Sequence, residues 1–443
     1  MDPRKSALEI IRFALEAVNP KTAVKTHLRR LGSILICGSQ IYNLADYERV
    51  RIIGFGKGSA PMAQAVHELL ADVISDGLVI VKYNHTLPPE IDIHPIQIVE
   101  AGHPVPDENS LLHTQNLIDF LANGSERDLI LCLISGGGSA LLTRPADGLS
   151  LTDVQALTRH LLEAGAAITE INTIRKHLSK VKGGWLAKTA SPATVISLIL
   201  SDVAGDQLDM IASGPTVPDL TTFADALTLL EKYHLTTKVS AAILTHLQTG
   251  AMGQHPETPK PGDPAFVHVQ NIIIANNQMA VLAAREAAQA QNFNAASFNT
   301  FIEGEAREVA QRVSWLAKLL VGGSDLVQKP AVLIFGGETT VTLKEHGLGG
   351  RNQELALASA LYLHGYPDLL IATVATDGND GPTDAAGAFV DGQTFARALV
   401  LNVDAQNYLD RHDSYHFFQA LNDLIITGPT NTNVNDLILI FSW

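Results

Sequence analysis

Two glycine-rich loops hold the residue types best suited to chemistry on an anion. The first, Gly54-Phe55-Gly56-Lys57-Gly58-Ser59, follows an apolar run and leads into a helical pattern. Glycines let the backbone approach a ligand closely, a helix N-terminus offers unpaired N–H groups, and Lys57 adds a mobile full charge. An anion site on Gly56, Lys57 and Gly58 is the expectation, against the plainer alternative of a tight turn with a surface lysine. The loop matches neither GxxxxGK[ST] nor GxGxxG, and the next apolar run ends at Lys82-Tyr83, where a dinucleotide site would want an acidic ribose partner. The second loop is Ser135-Gly136-Gly137-Gly138-Ser139. Its amides can form a nest for phosphate or carboxylate. A nucleophilic role for Ser135 or Ser139 is the weaker reading, because GxSxG is not in register.

Carboxylates come next. Asp202 closes an apolar run and Asp206 follows four residues later. Such a pair can hold Mg2+ through oxygen ligands or take a proton from a substrate hydroxyl, although carboxylates also cap helices. Ser213-Gly214-Pro215 is a further tight polar turn. Between these stretches INTIRKHLSKVKGG gathers Asn172, Arg175, Lys176, Lys180 and Lys182 into a basic island, and at helical spacing Arg175 shares a face with Ser179, as Lys176 does with Lys180. A solvated helix face is its alternative. Towards the C-terminus, Gly337-Glu338 ends an apolar run and Gly349-Gly350-Arg351-Asn352 opens a helix, where arginine suits bidentate capture of a carboxylate or phosphate. Asp377, Asp380 and Asp384 surround Gly378 and Gly381 without calcium-loop spacing. Asn431, Thr432, Asn433, Asn435 and Asp436 could hold a nucleotide or build Asx-turns. The 16 histidines are scattered, and no zinc-type ligand spacing occurs.

These loops need a scaffold, and the chain can supply one. Its 443 residues exceed one ordinary core, so two domains are expected, and 46% hydrophobic against 17% charged residues excludes disorder. The net charge of −15 argues against nucleic-acid or anionic-membrane partners. Cys37 and Cys132 are the only cysteines, which suits a reducing, cytoplasmic compartment rather than a disulfide framework. No apolar run is long enough for a membrane span, and the first twenty residues read as an amphipathic helix. Short, mostly apolar runs at 50–55, 77–81, 96–99, 129–134 and 195–200 alternate with helical patterns, as in a parallel α/β sheet. The rhythm resumes at 271–275, 331–335 and 369–374 and closes at 423–427 and 436–441, with a helix over 353–363. Pro256, Pro259, Pro261 and Pro264 make residues 251–265 an interdomain linker or a long surface loop. The expected division is an N-terminal Rossmann-like domain over 1–250 and a C-terminal α/β domain over 266–443. In open sheets of this kind, ligands sit outside the carboxyl ends of the strands, where nearly all of these polar turns fall.

Taken together, the turns resemble those of the class II glycerate 2-kinases, the family with a C-terminal MOFRL domain, some of whose members carry the label hydroxypyruvate reductase. The matching stretches are GFGKGSAPMA, HPVPDENS (103–110), SGGGSALL, INTIRKHLSKVKGG, SDVAGDQLDMIASGPTVPD, GGETTV, GGRNQELALA, TDGNDGPTDAAGA and GPTNTNVNDL, in family order along nearly the whole chain. The resemblance implies two α/β/α domains, the first Rossmann-like with a mostly parallel sheet, and an active site in the interdomain cleft. It also implies ATP- and Mg2+-dependent phosphorylation of D-glycerate at the 2-hydroxyl. A homodimer is compatible with it. On this reading Lys57, Arg351 and Asp202 are catalytic. Gly56, Gly58, Ser135, Gly136, Gly137, Gly138, Ser139, Ser213, Gly214, Gly337, Glu338, Asn352, Asp377 and Asn433 contact the nucleotide, and Asp202 and Asp206 hold the metal. An NAD(P)H-dependent hydroxypyruvate reductase is the alternative.

Overall fold

A computed structural model describes residues 2–321 and 327–443, apart from the side chains of 299 and 300. The chain forms two compact units, a continuous one over Pro20–Ile274 and a split one that joins Met1–Asn19 to Ala275–Trp443.

The continuous unit opens with a three-stranded antiparallel sheet, β1 (Leu28–Leu31), β2 (Ile34–Cys37) and β3 (Gln40–Asn43). Its main sheet consists of β4 (Arg49–Phe55), β5 (Ile74–Lys82), β6 (Ile96–Ala101), β7 (Asp128–Ile134), β8 (Thr194–Leu200) and β9 (Val269–Ala275), in the order β6-β5-β4-β7-β8-β9. The pairs from β6 through β8 are parallel. Every residue of β7 is buried, as are all but the first of β4 and β8, as strands covered on both faces require. Numbered within the sheet, the order is 3-2-1-4-5-6, so the direction of winding reverses between β4 and β7. The loops after these two strands are the glycine-rich stretches 56–59 and 135–139.

In the split unit, β10 (Asn294–Glu305), β11 (Ala331–Thr340), β12 (Leu369–Ala375), β13 (Gly387–Asp391), β14 (Leu424–Ile425) and β15 (Asp436–Ser442) form a mixed sheet in the order β10-β11-β15-β12-β13-β14. β15 is antiparallel to both neighbours, and Asp436 at its start lies opposite Gly337 of β11 and Ala375 of β12. The start of β15 is thereby held between the carboxyl ends of two other strands. The helix Arg351–Leu363 is buried from Asn352 to Ala360.

The sequence reading placed residues 1–19 in the first domain, whereas their contacts place them with the second. The helix Pro3–Ala17, capped by Asp2, buries Ile10, Ile11 and Ala14 and packs on the helix Asn277–Ala290. Arg4 pairs with Asp391 and Asp423, and Thr432 Oγ1 donates to the carbonyl of Val18 at 2.7 Å. The proline-rich segment 251–265 is a loop inside the continuous unit: Glu257 accepts the amide of Phe223, and Thr258 donates to Asp219. β9 follows that loop and joins the first sheet, which moves the joint to 274/275. Among the described residues no helix is long and apolar enough to cross a membrane.

Candidate active site

The two glycine-rich loops of the continuous unit are bonded to each other. The amide of Lys57 donates to the carbonyl of Gly136 (2.9 Å), and that of Gly58 donates to Ser135 Oγ (2.9 Å). Gly56 has φ +138°, and a Cβ there would lie 2.1 Å from Ser135 Oγ, so glycine is required for this contact. The expectation that Gly56 and Gly58 cradle an anion is thus corrected: the Gly58 amide is engaged within the protein. Ser135, 2% exposed, bridges the loops and lies 3.2 Å from Ser59 Oγ, an interior staple rather than a presented nucleophile. Gly138 packs tightly against Phe55 and Ala212.

Directly beside this staple, the side chains of Lys57, His103 and Asp202 converge. A Cβ on Gly136 would meet Asp202 Oδ2 at 2.4 Å, and one on Gly137 would meet the His103 ring at 2.8 Å and Lys57 Cγ at 3.5 Å. Lys57 follows β4, His103 follows β6 and Asp202 follows β8, so the sheet order itself brings them to the switch point. No acceptor among the described residues takes the amides of Gly136, Gly137 or Ser139. Burial, together with the charges of Lys57, Lys82 and His85, pulls the His103 imidazole down to about 4, so it is neutral at neutral pH. His103 was legible only as the head of HPVPDENS; nothing in its own spacing marked it for a site. Asp206 shares the turn after β8 with Asp202.

A polar chain extends from Ser139. Its hydroxyl lies 2.9 Å from that of Ser213, which in turn donates to Asn172 Oδ1 (3.0 Å). Ala212, Ser213 and Gly214 all adopt positive φ (50°, 63° and 62°), local strain of the kind that gathers at functional sites. The helix of the basic island, Ile168–His177, ends before Ser179 and Lys180, so the expected Arg175/Ser179 and Lys176/Lys180 faces do not form.

In the split unit, the expected anion capture by the Arg351 helix is altered by the protein's own carboxylates. Arg351 grips Asp436 through Nε (2.6 Å) and Nη2 (3.0 Å) and reaches Glu338 through Nη1 (2.9 Å). Asn435 donates to the other Glu338 oxygen (2.8 Å). Asp380 takes the amides of Asn352 (3.0 Å) and Gln353 (2.8 Å) at the helix N-terminus. Asn352 is buried with its side chain also directed at Asp380, which makes it part of the packing. Burial pushes the Asp436 carboxyl up to about 7, against the pull of Arg351. Gly337 pairs with Asp436 across the sheet. Asp377 and Asn433 each fix a local turn, accepting the amides of Asn379 and Asn435. Glu338, Arg351, Asp436 and Asn435 therefore form one cluster, which Asn433 joins through the amide of Asn435, whereas Asp377 serves its own turn.

Residues 6–248 match the family described as domain of unknown function DUF4147, and residues 331–436 match the MOFRL family. The D-glycerate 2-kinase of Thermotoga maritima is 43% identical over 98% of this chain and 97% of its own. The chain belongs to the glycerate 2-kinase family. A glycerate 2-kinase of Pyrococcus horikoshii is 39% identical over 99% of this chain and 97% of its own. The crystal structure of the Thermotoga maritima glycerate kinase has a TM-score of 0.88 at 42% identity, covering 99% of both chains. A relative from Agrobacterium vitis, 41% identical over 90% of this chain and 88% of its own, bears the name hydroxypyruvate reductase. The first family match spans Lys57, His103, the 135–139 loop and Asp202, and the second spans Glu338, Arg351 and Asp436.

Proposed function

We propose that this chain is a glycerate 2-kinase, moving the γ-phosphoryl group of ATP to the 2-hydroxyl of D-glycerate and releasing ADP and 2-phosphoglycerate. The observation that carries this reading is the meeting of Lys57, His103 and Asp202 on the Gly136–Gly137 backbone, in a chain akin over nearly its whole length to proteins named for that reaction. Phosphoryl transfer asks a protein chiefly for positioning and charge neutralisation. The 2-hydroxyl oxygen forms the new bond to phosphorus, the bond from phosphorus to the ADP oxygen breaks, and the hydroxyl proton passes to Asp202. Lys57 neutralises the transferring group, and the amides of Gly136, Gly137 and Ser139 supply donors to its oxygens. Neutral His103 adds a hydrogen-bonding ring without adding charge to the cluster.

Mg2+ would shield the phosphate oxygens of the donor. The donor set fits: Asp206 and the second oxygen of Asp202 are hard ligands in the turn after β8. Among the described residues no three His, Cys, Asp or Glu side chains gather, so phosphate oxygens and water would have to complete the coordination. Three of the five Arg351 N–H donors are engaged by Asp436 and Glu338, and the remaining two are assigned to an anion, either the glycerate carboxylate or a phosphate, with Gly337, Asp377 and Asn433 near the same end of the sheet. A nicotinamide-dependent reductase fits less well. β5 ends at Lys82, whose cation cannot accept hydrogen bonds from a ribose.

The test is incubation with D-glycerate, ATP and Mg2+, following ADP while resolving 2- from 3-phosphoglycerate. Formation of 2-phosphoglycerate is expected. Hydroxypyruvate-dependent oxidation of NADH without ADP formation overturns the reading.

A further inference from the structure

The basic island divides into two kinds of cation. Lys176 is neutralised by Asp209 (3.1 Å) and Asp219 (3.4 Å), and Lys180 by Asp147 (3.0 Å). Among the described residues Arg175 and Lys182 have no such partner. Lys182, 5% exposed, donates there to the carbonyls of Ser139 (2.7 Å) and Leu142 (2.8 Å) and to no carboxylate. Arg175 is half-buried, and no hydrogen bond or ion pair engages its guanidinium among the described residues. Burial, and after it the charge of Arg175, pull the Lys182 amine down to about 7, and burial lowers Arg175.

Two neighbouring desolvated cations without a counter-charge are costly, and in a chain of net charge −15 no shortage of carboxylates explains the vacancy. Their surroundings are equipped for an oxyanion. Arg175 lies three residues, one helical turn, beyond Asn172, whose side chain joins the Ser213 and Ser139 hydroxyls. Lys182 is bonded to the same residue, Ser139, that closes the 135–139 loop.

We propose that Arg175 is an anion-binding residue of the active site, receiving a carboxylate or phosphate oxyanion of one of the two reactants beside the Ser139–Ser213–Asn172 chain, with Lys182 holding the loop in place behind it. Only the naming of the ligand as a reactant rests on the kinase reading. The counter-charge missing from the protein is then supplied by the ligand, through the planar fork that arginine offers to such groups.

The experiment compares wild type, Arg175→Met and Arg175→Lys by thermal unfolding and by binding isotherms with D-glycerate, with ATP and with inorganic phosphate. Without ligand, Arg175→Met melts at or above the wild-type temperature, because the lost cation had no partner. Its affinity for at least one probe falls on the order of tenfold to a hundredfold, and Arg175→Lys recovers part of the loss. A loss confined to D-glycerate identifies the carboxylate; a loss shared by ATP and phosphate identifies a phosphoryl group. Unchanged isotherms, or an Arg175→Met protein that melts well below wild type or fails to fold, overturn the proposal. A wild type that binds these anions but makes no 2-phosphoglycerate sinks the kinase reading and leaves this one standing. Production of 2-phosphoglycerate by an Arg175→Met protein with unaltered KM values does the reverse.

Discussion

Replacing Lys182 with methionine keeps the length of the side chain and removes a buried amine whose ordinary value of 10.5 is brought down to about 7. Between those limits the unfolded chain binds a proton that the native protein does not, so native stability rises with pH across that window. Below about pH 7 both states carry the charge and the full burial penalty applies. The slope for one proton is about 1.4 kcal/mol per pH unit, so a climb from pH 7 to 9.5 adds about 3 kcal/mol. A neutral amine keeps two N–H donors, enough for the carbonyls of Ser139 and Leu142, and the loop geometry survives the change of charge. Urea unfolding at half-unit steps of pH, on wild type and Lys182→Met, isolates this group from everything else that titrates. Trp185 lies in the continuous unit and Trp315 and Trp443 in the split one, so replacing the latter two with phenylalanine in both proteins makes the fluorescence report on the relevant transition. The wild-type stability is expected to climb relative to the variant with the slope given above. Parallel curves over that range refute the claim that Lys182 is buried without a counter-charge.

Three other perturbations address the site. Lys57→Ala is expected to lower kcat roughly 10²- to 10³-fold without a change in melting temperature, and retention of more than about a tenth of turnover removes Lys57 from the chemistry. Gly136→Ala sets a Cβ 2.4 Å from Asp202 Oδ2, a carboxylate that can rotate away, so activity should fall far more than stability; in Gly56→Ala the new atom meets the Ser135 backbone carbonyl at 2.6 Å with φ at +138°, and the fold itself should suffer. Equal melting temperatures for the two alanine variants contradict that distinction. At pH 9, above the value of about 7 at which the Asp436 carboxyl ionises beside Arg351, Arg351→Met is expected to cost about 3–5 kcal/mol in chemical denaturation, shrinking as the pH falls and the carboxyl takes up a proton, with much of it recovered by adding Asp436→Leu. A cost under about 1 kcal/mol shows the pair to be dispensable.

Strands buried on both faces announce themselves as unbroken apolar runs, which is why β4, β7, β8, β12 and β15 were legible in the sequence. β10, whose text is NAASFNTFIEGE, carries too many polar residues for that signal and lies at a sheet edge. The short strands β1–β3 and β13 were missed as well. Loop composition singled out Lys57 and Asp202, which the structure brings together on the Gly136–Gly137 backbone. Composition could not tell which amides the protein would engage for itself. Gly58 and Asn352 were read as ligand contacts, yet their partners, Ser135 and Asp380, lie 77 and 28 residues away along the chain. The same long-range pairing separated Arg175 and Lys182 from Lys176 and Lys180, four cations that the sequence presents as equals.

The placement of β15 bears on the order in which the chain can be assembled during synthesis. The continuous unit contains its own neighbours and can close while later residues are still being made. The split unit cannot: β15, spanning residues 436–442, is a central strand, and until it arrives β11 and β12 each present an unpaired edge. The helix Pro3–Ala17 must wait for partners made hundreds of residues later. A segment made well before its partners is thus among the last to find its place, and the exposed edges of β11 and β12 are where a nascent chain is most open to aggregation.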